Sequence, residues 1–163
     1  MIALKVKSTK NFMSHLLLSD TFDNFLFIEG EIVTFNTFTI DGFIQKSFYE
    51  SEEEAGNDYA LWKQLRELCF SMSRGKRTPL SFKFVFSLSP RNIAKLLQQK
   101  NLDYQPGDVQ GLYLNIRFDG SVLQCITGTS LKTFSMDKSL EREWDAMVPR
   151  FFDQKGIPFD MEE

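Results

Sequence analysis

Two groups of positively charged side chains are the residues of this chain best suited to bind a ligand. Arg74, Lys76 and Arg77 stand together shortly before a proline. Apolar spacing predicts a helix over residues 89–100, and its non-apolar side carries the second group: Arg91, Lys95 and Lys100. Each phosphate that Lys or Arg neutralises adds salt-dependent affinity for nucleic acid. We therefore predict that these six residues contact nucleic acid, the alternative being a solvated helix face and an ordinary basic loop.

The charge of the whole chain limits the kind of nucleic-acid contact. The net charge is -3 and the sequence pI is about 5.3. Proteins that coat nucleic acid without sequence preference are usually basic overall. The sequence therefore disfavours that class of protein. A local basic face that contacts nucleic acid remains compatible with the negative net charge.

Other residues that could do chemistry lack the partners that their chemistry needs. His15 is the only histidine, and no nucleophile or base is placed beside it. Cys69 and Cys125 lack the spacing of a zinc or redox pair. The acidic run 50–54 could bind a hard cation loosely but lacks the pattern of a calcium loop. Residues 127–130 could cradle a phosphate but lack the Walker ending, so a turn with a bulge is the alternative. We predict no enzyme activity, no cofactor and no metal.

The composition indicates a globular protein that stays inside the cell. The chain has 163 residues, 42% hydrophobic and 25% charged, and its 17 phenylalanines point to sheets packed against helices. Two isolated cysteines suit a reducing cytoplasm. The first residues alternate too regularly for a signal peptide, and no apolar run could span a bilayer. We predict a cytoplasmic protein with no membrane contact.

The periodicity of apolar residues predicts alternating strands and helices. Strands are expected over 1–7, throughout 25–48, and over 81–88, 112–118, 122–127 and 131–135. Glycines in Glu29-Gly30, Asp41-Gly42 and Asp119-Gly120 are expected to form turns. Helices are expected over 8–18, 59–72, 89–100 and 136–154, with a kink or restart at Pro149. The tail from residue 156 is expected to dock on a partner or to fold back on its own domain.

The two halves of the chain show the same order of predicted elements, which indicates pseudo-repeats over 1–75 and 80–156 within one domain, 1–163. Ser8 and Ser89 open equivalent helices, each three residues before an asparagine. The other proposed matches are turns at Gly30 and Gly120, strand ends at Thr37 and Thr127, and closing strands at 46–48 and 132–134. The predicted fold class is α+β, with two tandem β-α-β-β-β units, antiparallel sheets and helices packed on one face. The alternative is that amphipathic strands simply look alike.

This repeated unit resembles one domain of a DNA sliding clamp. The passage from Phe82 to Phe134 is most similar, with its Phe-Lys-Phe-Val-Phe strand, its Ser-Pro-Arg-Asn-Ile-Ala-Lys-Leu-Leu helix and the Asp119-Gly120 hairpin. The resemblance covers roughly residues 1–48 and 81–135, and implies that the helices face DNA. The predicted helices 59–72 and 136–154 have no counterpart in the clamp unit, and a six-domain ring would need six copies of this chain. The whole chain is also similar to a bacterial family of unassigned function.

The prediction for function is a non-enzymatic binding or interaction domain, clamp-like and associated with nucleic acid. One alternative is a protein–protein adaptor with no nucleic-acid binding, which could associate with itself through sheet edges. The other is a small-ligand-binding protein, which would need a deep pocket with convergent polar groups.

Overall fold

Seven strands form a single antiparallel sheet in the computed structural model, which describes residues 1–162. Across the sheet the strands lie in the order β3-β2-β4-β5-β6-β1-β7. The strands are β1 (Ala3–Val6), β2 (Leu26–Val33), β3 (Thr37–Asp41), β4 (Ser81–Ser87), β5 (Val109–Phe118), β6 (Leu123–Leu131) and β7 (Phe159–Glu162). The helices are α1 (Thr9–Met13), α2 (Glu52–Ala55), α3 (Trp62–Ser73), α4 (Pro90–Gln99) and α5 (Ser139–Lys155). The predicted α+β class with an antiparallel sheet is confirmed.

Helices α1, α3, α4 and α5 pack on one face of the sheet because the strands alternate apolar and polar residues. On β4, Phe82, Phe84 and Phe86 are buried in one cluster with residues from α1, α3, α4 and α5. Lys83 on β4 and Arg117 on β5 point the other way and are exposed. We call this second side, which also carries Lys5, the open face.

Two predicted helix starts are confirmed, and their caps have the same geometry. The Ser8 hydroxyl accepts a hydrogen bond from the Asn11 N–H at 3.1 Å, and the Ser89 hydroxyl accepts one from the Asn92 N–H at 3.3 Å. Such serine caps satisfy a backbone donor that the first helical turn leaves without a partner. After α1 the chain continues as a π-helical turn, Ser14–Leu18.

The predicted hairpin at Asp119-Gly120 is confirmed between β5 and β6. The Asp119 carboxylate accepts hydrogen bonds from the N–H groups of Ser121 at 2.8 Å and Val122 at 2.7 Å. Gly120 has φ +99°, and a Cβ there would lie 2.9 Å from the Leu80 carbonyl oxygen. Glycine fits this turn because it tolerates both the left-handed backbone and the close contact.

The predicted turns at Gly30 and Asp41-Gly42 are wrong. Gly30 lies in the middle of β2, paired with Ile40 and Phe84, where a Cβ would lie 2.6 Å from the Phe84 ring. The glycine is needed for packing, and the chain reverses later, at residues 34–36. Asp41 ends β3 without starting a hairpin, because the Gly42 N–H donates to the Ile28 carbonyl.

The closing strand predicted for each half is also wrong. Lys46–Phe48 is a 3-10 turn, and residues 132–135 follow β6 without forming a strand. Thr37 starts β3, while Thr127 lies inside β6, which continues through Gly128. The equivalent helix caps agree with a duplication, but these strand positions do not correspond.

The last helix and the tail settle two further expectations. α5 runs without interruption from Ser139 to Lys155 although it contains Pro149, so the expected restart is wrong. Gly156 ends it in the left-handed conformation, at φ +72°. The tail folds back, because β7 pairs antiparallel with β1.

Candidate functional site

The loop between α3 and β4 carries three of the six predicted cations at the surface. Arg74, Lys76 and Arg77 are exposed and line a hollow of about 410 Å³. Three apolar side chains also line it: Met72, Phe35 from the β2–β3 turn and Leu80, of which Phe35 is 87% and Leu80 66% exposed. We call residues 74–80 the basic loop and this cavity the loop hollow.

Backbone hydrogen bonds hold both sides of the loop hollow in place. The N–H of Leu80 donates to the Val33 carbonyl at 2.8 Å, which ties the end of the basic loop to β2. The N–H of Thr34 donates to the Asn36 carbonyl at 2.8 Å and closes the turn that presents Phe35. The aromatic ring and the cations are therefore positioned by neighbouring parts of the same sheet end.

The loop hollow is positively charged without compensation from nearby acids. Among residues 1–162, no carboxylate oxygen lies within 4.0 Å of a charged nitrogen of Arg74, Lys76 or Arg77. None of the ten residues that line the hollow is acidic. Three cations beside an exposed phenylalanine can bind phosphates and stack an unpaired base.

The other three predicted cations lie away from the basic loop: Arg91 and Lys95 are on α4, and Lys100 directly follows its last residue. The basic loop precedes β4 and α4 follows it, so a seven-residue strand separates them, about 20 Å of extended chain. Lys100 Nζ lies 3.8 Å from Glu143 Oε2 on α5. The structure thus places the six predicted residues in two separate groups.

A groove of about 420 Å³ lies between α4 and α5. Leu96 of α4 and Met147 and Phe151 of α5 contribute apolar side chains, while Lys95 and Lys155 add positive charge. Sequence patterns did not predict this groove, because it forms between helices that are distant in the chain.

Phe35 is the residue of the loop hollow that sequence reasoning missed. Residues 25–48 were expected to form strands, with no turn at Phe35. The available signal was the polar context of Phe35, between Thr34 and Asn36. A single aromatic residue in a polar turn is the pattern of an exposed contact residue.

The remaining polar candidates have structural partners. His15 Nδ1 lies 2.7 Å from Thr21 Oγ1, and the histidine is partly buried. Residues 127–130, considered as a phosphate cradle or a bulged turn, belong to β6. There Thr127 Oγ1 donates to Asp145 Oδ1 at 2.6 Å.

The two cysteines are buried free thiols. Burial raises the pKa of Cys69 to about 12, and it also raises the pKa of Cys125. A thiol must ionise to act as a nucleophile or a metal ligand, so neither environment favours such chemistry.

Within residues 1–162, no three His, Cys, Asp or Glu side chains come together as a possible metal site. In the same part of the chain, no helix has the length and apolar character needed to cross a bilayer.

Comparison with known proteins places most of the chain in one family. Residues 15–160 match DUF5721, a family of unknown function. No curated protein and no solved structure matches the chain, so the resemblance to a clamp domain stays a prediction. The match extends over more than half of the sequence, and the chain therefore belongs to the family of unknown function DUF5721.

Proposed function

We propose that this protein is a non-catalytic binding domain that contacts single-stranded nucleic acid at the loop hollow. The observation that carries the proposal is the exposed Phe35 ring beside three cations, Arg74, Lys76 and Arg77, none of them ion-paired within residues 1–162. Proteins that bind single strands combine positive charge along the backbone with aromatic rings that stack bases.

The size of the loop hollow limits the expected strength of binding. Three phosphate contacts correspond to a salt slope of about -2, or roughly a 20-fold loss of affinity between about 50 and 200 mM salt. Stacking on one aromatic ring adds about 1–3 kcal/mol per base. The net charge of -3 opposes long-range attraction of a polyanion. We therefore expect weak binding that is seen best at low salt.

The basic loop supports this proposal better than α4 does. The clamp resemblance implies that helices face DNA, which would assign Arg91, Lys95 and Lys100 to phosphates. Lys100, however, already lies near Glu143, at 3.8 Å, and Lys95 lines the groove beside α5. The cations of the basic loop have no such neighbours.

Fluorescence anisotropy with a labelled oligothymidylate and a duplex of equal length tests the proposal. One variant replaces Arg74, Lys76 and Arg77 with alanine. The control replaces the three α4 cations with alanine, which removes the same charge: Arg91, Lys95 and Lys100.

We expect the basic-loop variant to lose most affinity for the single strand, at least about tenfold at low salt, and the α4 control to retain it. Phe35→Ala should weaken single-strand binding by about fivefold or more, because the stacking ring is lost. Absence of binding by the unmodified protein at low salt and high concentration would refute the proposal. So would loss of binding in the α4 control alone.

Protein–protein association is a second candidate, favoured by exposed apolar residues after β6. Phe134 is 90% exposed and Met136 is 84% exposed. If they mediate self-association, sedimentation velocity should show a concentration-dependent dimer that F134S/M136S abolishes. A monomer at every concentration would exclude self-association through this segment.

A further inference from the structure

Two like charges face each other directly in the middle of the open face. Lys83 on β4 is the register partner of Arg117 on β5. Both side chains are exposed on the same side of the sheet. Like charges at directly opposed strand positions destabilise a sheet. The contact between Lys83 and Arg117 is therefore repulsive in the free protein.

A third cation continues the same row across the sheet. Arg117 pairs with Gln124 on β6, and Gln124 pairs with Lys5 on β1. Lys5, Lys83 and Arg117 line one hollow of about 490 Å³ on the open face. Neighbouring strands lie about 4.8 Å apart, so the row from Lys83 to Lys5 spans about 14 Å. We call these three residues the open-face cations.

Two carboxylates that line this hollow are held by other groups. Asp119 accepts hydrogen bonds from the backbone N–H groups of the β5–β6 turn. Glu162 accepts a hydrogen bond from Gln124 Nε2 at 2.7 Å. Both therefore have partners other than the open-face cations.

Two further carboxylates lie in register with the open-face cations. Asp160, the register partner of Lys5, lies 3.3 Å from Lys7 Nζ. Glu31 on β2 is the register partner of Lys83, and it lies next to the row at the end away from Lys5. Among residues 1–162, no carboxylate oxygen lies within 4.0 Å of a charged nitrogen of an open-face cation.

The basic loop leads directly onto this surface. Four residues after Arg77 the chain enters β4 at Ser81, and Lys83 is the third residue of that strand. The loop hollow and the open-face cations therefore adjoin the same end of β4.

We propose that the open-face cations bind the phosphates of a single strand of nucleic acid that extends from the loop hollow across β4, β5, β6 and β1. The inference rests on the proposed function and extends it to a second surface. The row of about 14 Å corresponds to about four stacked nucleotides. Bound phosphates between Lys83 and Arg117 relieve their repulsion, so binding compensates for a contact that is unfavourable in the free protein.

The test compares two oligothymidylates, about 4 and about 12 nucleotides long, in the anisotropy assay. Both lengths lie within the range of site sizes, about 4–16 nucleotides, of known single-strand binding folds. The test variant is K83Q/R117Q. The charge-matched control is K10Q/K63Q, which changes exposed lysines on the helical side of the sheet.

We expect K83Q/R117Q to weaken binding of the longer oligonucleotide and to lower its salt slope by about 1.4, the value for two phosphates. The shorter oligonucleotide, which the loop hollow can hold alone, should be affected less. Glu31→Gln should increase affinity, because it removes a negative charge next to the row.

The outcomes separate this inference from the proposed function. If K83Q/R117Q behaves as the control does while the basic-loop variant loses affinity, the open-face proposal is wrong and the loop hollow stands. If K83Q/R117Q loses affinity while the basic-loop variant retains it, the open face is the site and the loop hollow is not. If the unmodified protein binds neither oligonucleotide, both proposals fail.

Discussion

Replacement of Trp62 by phenylalanine should destabilise the fold strongly, because its indole supports the end of the first helical segment. Trp62 is fully buried, and its Nε1–H donates to the Leu16 carbonyl at 2.8 Å. Leu16 lies in the π-helical turn that follows α1. Carbonyls in a final helical turn lack intrahelical partners, so the indole supplies the missing donor.

The expected loss has two parts. Phenylalanine cannot donate this hydrogen bond, and a buried carbonyl left without a partner costs about 1–3 kcal/mol. The smaller ring also loosens contacts with Phe27, Phe84 and Phe86, whose centroids lie 5.5, 5.4 and 5.1 Å from that of Trp62. Complete truncation of a buried tryptophan costs about 3–5 kcal/mol, which bounds the sum. We expect about 3 kcal/mol, or a fall in Tm of about 6–12 °C.

Urea unfolding followed by circular dichroism measures this loss. The midpoint should fall without a change in the slope m, because the amount of surface exposed on unfolding stays the same. Leu68→Ala on the same helix is the control, since Leu68 is 53% exposed and should cost less than about 0.5 kcal/mol. A loss below about 1 kcal/mol for Trp62→Phe would show that the Leu16 carbonyl does not depend on the indole.

Three other predictions concern polar groups and thiols. Thr127→Val should cost about 1–3 kcal/mol in urea unfolding, because it removes the hydrogen bond to Asp145; an unchanged midpoint would contradict this. Backbone N–H groups of Val122 and Ser121 lower the pKa of Asp119 below 3.8. The stability that the ionised Asp119 carboxylate contributes is present above pH 3.8 and disappears as pH falls through the folded-state pKa. The difference in urea midpoint between Asp119→Ala and the unmodified protein should therefore shrink in acid, and a difference that stays constant with pH would contradict this prediction. Cys69 and Cys125 should react with a thiol reagent only in denaturant, and rapid labelling of the native protein would argue against their burial.

Local patterns predicted the elements whose shape depends on nearby residues. β4 was expected over 81–88 and spans Ser81–Ser87, because alternating phenylalanines fit a sheet that is buried on one side. Ser89-Pro90 marked the start of α4, because a serine cap and a first-turn proline act within a few residues. The turn at Asp119-Gly120 was found for the same reason.

The same patterns failed where a distant partner decides the outcome. Gly30 was expected to form a turn, but it lies within β2, where a Cβ would contact the rings of Phe27 and Phe84. At Gly30, packing of these two rings outweighed the local preference for a turn. At Pro149, α5 continues without the restart that was one of the two expected outcomes.

The candidate sites show the same division. The sequence alone identified both groups of cations from their charge. Only the structure shows that the two groups lie in different parts of the molecule. Phe35 was expected to lie in a strand, and only the structure shows that the turn at residues 34–36 brings it to the surface.

From the sequence alone came the α+β class, the apolar and polar sides of the central strands, and the caps of α1 and α4. Each follows from side-chain periodicity or from contacts within a few residues. The tertiary structure alone decided the strand order, and with it the direct opposition of Lys83 and Arg117. Register between strands depends on long-range pairing, because a strand's own residues specify which side they face but not which residue lies opposite.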